Sequence, residues 1–183
     1  MKATVRPLEM NDLDEIMKWV NDPEVIGKFT NFKRPMTREQ EARYLEQIIA
    51  SEKDQLFAVE TESGEYLGNT GLHEIDYKAR SGRLAIILGN KKYWGRGYAQ
   101  SAVEGLLEQA FEKYRMNKVW AIVMEQNTKM QHILEKCGFK KEGLLRDEYF
   151  SQGRYHNMVR MSILEKEYKT RYCSKYELME VSK

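Results

Sequence analysis

The chain has 183 residues, 42% hydrophobic and 32% charged, a balance that excludes a disordered or fibrous polymer and suits one globular domain. Thirty Lys and Arg against 28 Asp and Glu leave a formal charge of +2, which excludes the strong positive field of nucleic-acid binders. Cys137 and Cys173 form no CxxC pair, and His73, His132 and His156 lack metal-ligand spacing, so neither a disulfide framework nor a metal is expected. Residues 1–7 lack the apolar core of a signal peptide, and no run approaches the roughly 18 apolar residues of a spanning helix. A cytoplasmic location, with no membrane or nucleic-acid partner, is the expectation.

Residues 3–8 read as a strand that stops near Pro7, followed by a helix capped at Asn11 with Leu13, Ile16, Met17 and Val20 on one face. Residues 21–36 read as a loop. Thr37 and Gln40 form a capping-box pattern that opens a second helix, with Leu45, Ile48 and Ile49 on its apolar side and an end near Ser51. Strand-like runs at residues 56–61 and 66–73 flank the Ser63-Gly64 turn signal of a hairpin, and a third apolar run at 84–88 leads to Gly89. The clearest helix starts near Gly97, where Ala99, Ala102, Val103, Leu106, Leu107, Ala110, Phe111 and Tyr114 keep helical spacing. A strand at 119–124, a helix at 128–136 and two strands near 144–150 and 155–164, turning at Gly153, complete the pattern. The residues after Glu165 read as a helical or flexible tail.

An apolar strand ending at Gly89 and passing through Trp94-Gly95-Arg96-Gly97 into a long helix has the parts of an anion cradle. Glycines admit close approach of backbone N–H groups, and the helix N-terminus adds free donors and the positive end of a dipole. A diphosphate fits those parts. The spacing fails for a P-loop, because five residues separate Gly89 from Gly95 and Arg96-Gly97 follows. A dinucleotide fingerprint fails too, because Gln100 stands where Gly or Ala is needed. A tight strand-to-helix turn with no ligand remains open on the spacing alone.

A second segment, Asn127 through Glu135-Lys136-Cys137-Gly138-Phe139, lies about thirty residues downstream. Together with Trp94-Gly95-Arg96-Gly97-Tyr98-Ala99, the Glu142-Gly143 pair and the Gly153-Arg154-Tyr155-His156 turn, it resembles the GNAT superfamily of acetyl-CoA-dependent N-acetyltransferases. The likeness is closest to the branch of ribosomal-protein N-terminal acetyltransferases and spermidine acetyltransferases, and it covers nearly the whole chain. It implies an α/β (α+β) fold in a single domain over residues 1–165, with residues 166–183 as the tail. The sheet is expected to be mixed and mostly antiparallel, with about six to seven strands splayed between strands 4 and 5 and about four flanking helices.

The resemblance implies that Ile87, Leu88 and Gly89 hydrogen-bond the pantetheine arm through their backbone, with Asn127 holding it by its side chain. It places the pyrophosphate on Gly95, Arg96, Gly97, Tyr98 and Ala99, and counts Trp94 as a contact chiefly through its backbone. Acetyl-CoA is then the co-substrate, with no metal. An attacking amine must be neutral, yet an alkylamine has a pKa of roughly 10, so a base or a water chain has to help. The tyrosine that many relatives use as thiol-protonating acid is Leu134 here, and Arg83-Leu84-Ala85 stands where many carry a glutamate. Cys137 reads as core packing beside Ile133 and Leu134, and Met130 replaces a small residue of the family. The candidates left for the base are Glu148, Glu74 and His73, with Asp147 beside Glu148.

The acceptor is expected near the first two helices, the loop of 21–36 and the last hairpin. Glu39, Glu41 and Glu46 fall where spermidine acetyltransferases contribute polyamine contacts, but they alternate with Arg38 and Arg43, and a solvated, salt-bridged face explains them equally well. A protein N-terminus, a polyamine, an aminoglycoside-like drug and an amino sugar stay open as acceptors. A non-catalytic acetyl-CoA-binding sensor or assembly module is the alternative function. The resemblance also raises a homodimer, and tail aromatics such as Tyr168, Tyr172 and Tyr176 are open to packing either on the same chain or on a partner.

Overall fold

The computed structural model describes residues 1–26, 35–151 and 153–180, and the side chains up to Tyr172. The basic and aromatic loop of residues 27–34 and the side chains of Cys173 and Tyr176 lie outside the described residues. Seven strands form one mixed sheet in the order β1-β2-β3-β4-β5-β7-β6: β1 Ala3–Pro7, β2 Gln55–Thr61, β3 Tyr66–Asp76, β4 Ser81–Leu88, β5 Lys118–Met124, β6 Lys140–Ser151 and β7 Arg154–Leu164. The strand ladders β1–β2, β2–β3, β5–β7 and β6–β7 are antiparallel, whereas β4 and β5 pair in parallel through Ser81↔Lys118, Gly82↔Val119 and Arg83↔Trp120. The expected sheet is therefore present, with its parallel pair at strands 4 and 5.

The helices are α1 Leu13–Met17, α2 Pro23–Ile26, α3 Arg38–Ile49, α4 Tyr98–Glu108, α5 Thr128–Lys136 and α6 Glu165–Glu180. Two local expectations need correcting. The first helical stretch is capped two residues before Asn11, because Glu9 and Asp12 form the reciprocal box around a 3-10 turn at Met10–Asp12. Within the expected loop of 21–36, Pro23 opens α2, where its missing N–H is no loss. The Thr37–Gln40 box is present as read: Thr37 Oγ1 accepts from Gln40 N at 3.3 Å, and Gln40 Oε1 accepts from Thr37 N at 2.9 Å.

The chain divides into two compact units. The first comprises Met1–Ile75 and Leu84–Leu106. Its core on one side gathers Leu13, Ile16, Trp19 and Val20 with Val25, Leu45 and Ala58; a second cluster joins Ala3, Val59 and Leu67 to Tyr98 and Ala102. A polar knot anchors β1 here: Arg6 grips both carboxylate oxygens of buried Asp12, at 2.6 and 2.9 Å, and also donates to Glu60 at 2.7 Å. This bidentate pairing holds the guanidinium firmly charged.

The second unit comprises Asp76–Arg83 and Leu107–Lys183. After α4 the helix widens to a π segment at Gln109–Lys113, with Tyr114 N bonding to Gln109 O at 3.0 Å. The widening keeps Ala110 and Phe111 in the core, and Phe111 stacks on Tyr168 of α6 with ring centroids 4.7 Å apart. Tyr172 of the same helix donates to Cys137 O at 3.2 Å. Thus the start of the C-terminal segment packs on its own chain. Among the described residues no helix is long and apolar enough to cross a membrane.

Candidate active site

Gly89 follows β4, and a 3-10 turn at Lys91–Tyr93, capped by Asn90, carries the chain to Trp94. Gly95 and Gly97 then adopt φ of 75° and 87°, a left-handed conformation that glycine enters without a Cβ penalty. A Cβ built on either meets nothing within 4 Å, so backbone shape rather than packing requires glycine there, and the space in front of α4 is open. Ser101 N donates to Gly97 O at 3.2 Å as α4 begins, which leaves the N–H groups before it without intrahelical acceptors. This arrangement fits a diphosphate.

The side chains around the loop are mostly committed to packing. Trp94 Nε1 donates to Leu88 O at 2.8 Å, tying the loop to the strand and occupying a carbonyl in the stretch expected to face pantetheine. Tyr98 is buried and meets Tyr93 edge to face at 5.4 Å. Lys91 is paired with Asp22 at 2.7 Å and Glu24 at 2.9 Å. Arg96 lies 5.7 Å from the Tyr93 ring and has no ion pair among the described residues. What Trp94, Gly95, Gly97, Tyr98 and Ala99 offer a ligand is therefore chiefly backbone.

Gly89 is explained by contact. A Cβ there would fall 2.1 Å from Cγ of Trp19, because the indole lies directly on the glycine. Trp19 also lines a cavity of about 480 Å³ inside the first unit. The cavity is bounded by α3 through Glu41 and Tyr44, by β3 from Asn69 to His73, and by Ala85, Ile86 and Ile87 of β4. It is thus adjacent to the strand segment that the cofactor reading uses. Trp19 Nε1 is enclosed and has no hydrogen-bond partner among the described residues.

His73 and Glu41 are among the residues that line this cavity. His73 Nδ1 is 2.9 Å from Asp54 Oδ1, an arrangement that fixes the ring's orientation. Glu41, left open by the sequence between an acceptor contact and a solvated face, is only 5% exposed. The reason is helical periodicity: Glu41 precedes Leu45 by four residues and Ile48 by seven, so it shares their inward stripe. Arg38 turns instead to Asp14 at 2.7 Å, and Arg43 to the Glu39 carbonyl at 3.3 Å. Ile49, expected on the apolar side, is 45% exposed at the end of the helix.

Burial raises the Glu41 pKa above the ordinary 4.5. A folded-state pKa above the unfolded one gives a contribution fully present below the unfolded pKa and lost as pH rises through the folded pKa. Glu41→Gln is accordingly expected to raise the unfolding midpoint at pH 7, with the gain vanishing as the pH falls to about 4. Paired thermal melts at the two pH values check this; equal midpoints at pH 7 would contradict it.

The other candidates are placed differently. Glu74 is exposed with a left-handed φ of 52°. Glu148 is exposed in β6 beside Asp147, at φ 51°, where the β6–β7 register shifts. Neither lines the cavity. Asn127 caps α5, its Oδ1 accepting from Met130 N at 3.2 Å, so the amide nitrogen is the group left to meet a ligand. Leu134 and Cys137 are wholly buried, as core residues. Among the described residues no cluster of three or more His, Cys, Asp or Glu is placed to hold a metal.

The chain thus combines a mixed sheet carrying a parallel β4–β5 pair with a left-handed glycine turn at the head of α4. Residues 2–140 match the family model described as an acetyltransferase (GNAT) domain. The chain belongs to this GNAT family and is an N-acetyltransferase. It is 31% identical over 172 residues to the uncharacterized N-acetyltransferase p20 of Bacillus licheniformis, covering 91% of this chain and 95% of that protein. It is equally 31% identical over 171 residues to spermidine N(1)-acetyltransferase of Vibrio cholerae, covering 93% and 97%. The solved structure of the Vibrio cholerae spermidine N-acetyltransferase in complex with CoA and spermine superposes with a TM-score of 0.85 at 29% identity, over 91% of this chain and 98% of that one.

Proposed function

We propose that the protein transfers the acetyl group of acetyl-CoA to the primary amine of a small molecule by direct attack in a ternary complex. The observation that carries this reading is the strand-turn-helix segment, with Gly95 and Gly97 left-handed before the open head of α4, in a member of an acetyltransferase family. The CoA and spermine bound by the Vibrio cholerae neighbour support both the cofactor and a small amine as acceptor. Backbone N–H groups of residues 95–99 receive the pyrophosphate, aided by the Arg96 charge. The backbone of Ile87 to Gly89 receives the pantetheine arm.

For the chemistry, the neutral amine forms the new C–N bond at the thioester carbonyl, and the C–S bond breaks. One proton of the original ammonium goes to a base, a second to the departing thiolate, and one stays on the amide nitrogen. Of the three candidate bases, His73 alone lines the cavity, with its ring oriented by Asp54. Backbone N–H groups near the end of β4 supply the oxyanion with fixed donors. Position 134, where many relatives carry a tyrosine acid, is a leucine, so the thiolate, with a pKa of roughly 8.5 by analogy with cysteine, departs without that acid.

The test is release of CoA thiol from acetyl-CoA across polyamines, aminoglycosides, amino sugars, simple amines and N-terminal peptides. His73→Gln is expected to lower kcat by about 10²-fold with acetyl-CoA binding retained, the usual loss for a general base. Unchanged kcat would return the role to Glu74 or Glu148. Absence of turnover with every amine, despite acetyl-CoA binding, would point instead to the non-catalytic sensor.

A further inference from the structure

The cavity in the first unit departs from what a polycation needs. A polyamine carries cationic amines along its length and at both ends, and each buried ammonium requires its own anionic or strongly polar partner. Among the described residues lining this cavity the only carboxylate is Glu41. Residues 27–34 contain Lys28, Lys33 and Arg34 but no Asp or Glu, so they supply no further carboxylate. The remaining walls are largely apolar or aromatic: Trp19, Val20, Met36, Leu56, Ile86 and Ile87.

Glu41 itself is set for a single cation. It is only 5% exposed, and among the described residues no hydrogen bond or ion pair reaches its carboxylate. An isolated buried carboxylate is costly unless something pairs with it. Tyr44 and Trp19 also line the cavity, and aromatic rings of this kind favour a neighbouring ammonium as well as an apolar body. A volume of about 480 Å³ lies within the range of small-molecule sites, which run from roughly 300 to 1,000 Å³.

We infer that the cavity takes an acceptor with one ammonium on a compact apolar body, such as a phenylethyl group, and that Glu41 is the ion-pair partner of that ammonium. This assignment rests on the acetyltransferase reading above and narrows its acceptor to an apolar monoamine. The body fills the space between Trp19, Leu56 and Ile87. A hydrophilic monoamine forfeits that burial, and a polyamine leaves a second charge against apolar walls.

The experiment measures CoA release by the full chain with acetyl-CoA and, separately, 2-phenylethylamine, ethanolamine, spermidine and a peptide with a free N-terminal phenylalanine. The value of kcat/KM for 2-phenylethylamine is expected to exceed each of the others by about tenfold or more, the discrimination available to a pocket that buries a few methylene equivalents. Glu41→Gln is expected to lower that kcat/KM by about 30-fold, chiefly through KM, with acetyl-CoA affinity by calorimetry unchanged, and Glu41→Asp to recover part of the loss. The thermal melts of Glu41→Gln separate this loss from misfolding. Preference for spermidine or the peptide would overturn the inference while leaving the acetyltransferase reading standing. So would a Glu41→Gln variant with unchanged KM. Turnover of none of these four amines would overturn the inference, and the acetyltransferase reading falls with it only when the wider amine panel is inactive too.

Discussion

Gly97→Glu is expected to weaken acetyl-CoA binding by about 100-fold, or roughly 2.7 kcal/mol, while the protein stays folded. Three features add up to this. Gly97 has φ 87° immediately before Tyr98, where α4 begins, so a side chain placed there stands at the helix head. The space it enters is open, since a Cβ meets nothing within 4 Å, and the new carboxylate therefore occupies the room assigned to the pyrophosphate. Its negative charge also takes the favourable end of the helix dipole and repels the diphosphate. The left-handed backbone costs any non-glycine residue about 1–2 kcal/mol of stability, which Gly97→Ala would isolate. The alanine variant is expected to lose that stability yet bind acetyl-CoA far better than the glutamate variant. Calorimetric titration of both with acetyl-CoA decides the matter; a folded Gly97→Glu protein that binds within about threefold of the parent would move the pyrophosphate elsewhere.

Gly68→Ala is expected to produce the largest loss of stability, about 3–5 kcal/mol, from overpacking and backbone strain together. Gly68 lies in β3 with φ 153°, where the β2–β3 register also shifts. A Cβ there would lie 2.0 Å from Ile87 O and 2.9 Å from both Gly89 N and Leu88 Cα. All three are backbone atoms, so no rotamer change relieves the clash. Either β3 retreats or the end of β4 moves. For a chain of this size the loss corresponds to a fall in unfolding midpoint of about 10 °C, measurable by calorimetry. Because residues 87–89 are the proposed pantetheine contacts, acetyl-CoA affinity is expected to fall as well. An alanine variant with an unchanged midpoint would show that the strands have slack.

The sheet and most helices were legible because each carries its own local signal. The Thr37–Gln40 box, the Ser63-Gly64 turn and the apolar stripe from Ala99 to Phe111 depend on residues within a few positions of one another. The π widening after Glu108 carried no such signal, since the same apolar residues satisfy an ordinary helix up to that point. At the candidate site the glycine turn was readable, as backbone conformations open mainly to glycine leave glycine in the sequence. The roles of Trp94 and Tyr98 as packing residues required the positions of Leu88 and Tyr93.

Glu41 shows where local reading stops short. Charge alternation along α3 left a solvated face as open as an acceptor contact, whereas the four- and seven-residue spacing to Leu45 and Ile48 placed Glu41 inward. The sequence by itself determined the family and the glycine positions of the strand-turn-helix segment, because these rest on residue identity at fixed spacing. Only the tertiary structure decided that Glu41 and His73 line one cavity, and that Trp19 covers Gly89. The reason is that α1, α3, β3 and β4 supply these residues from separate stretches of chain, and which side chains face a common space is settled when the elements pack.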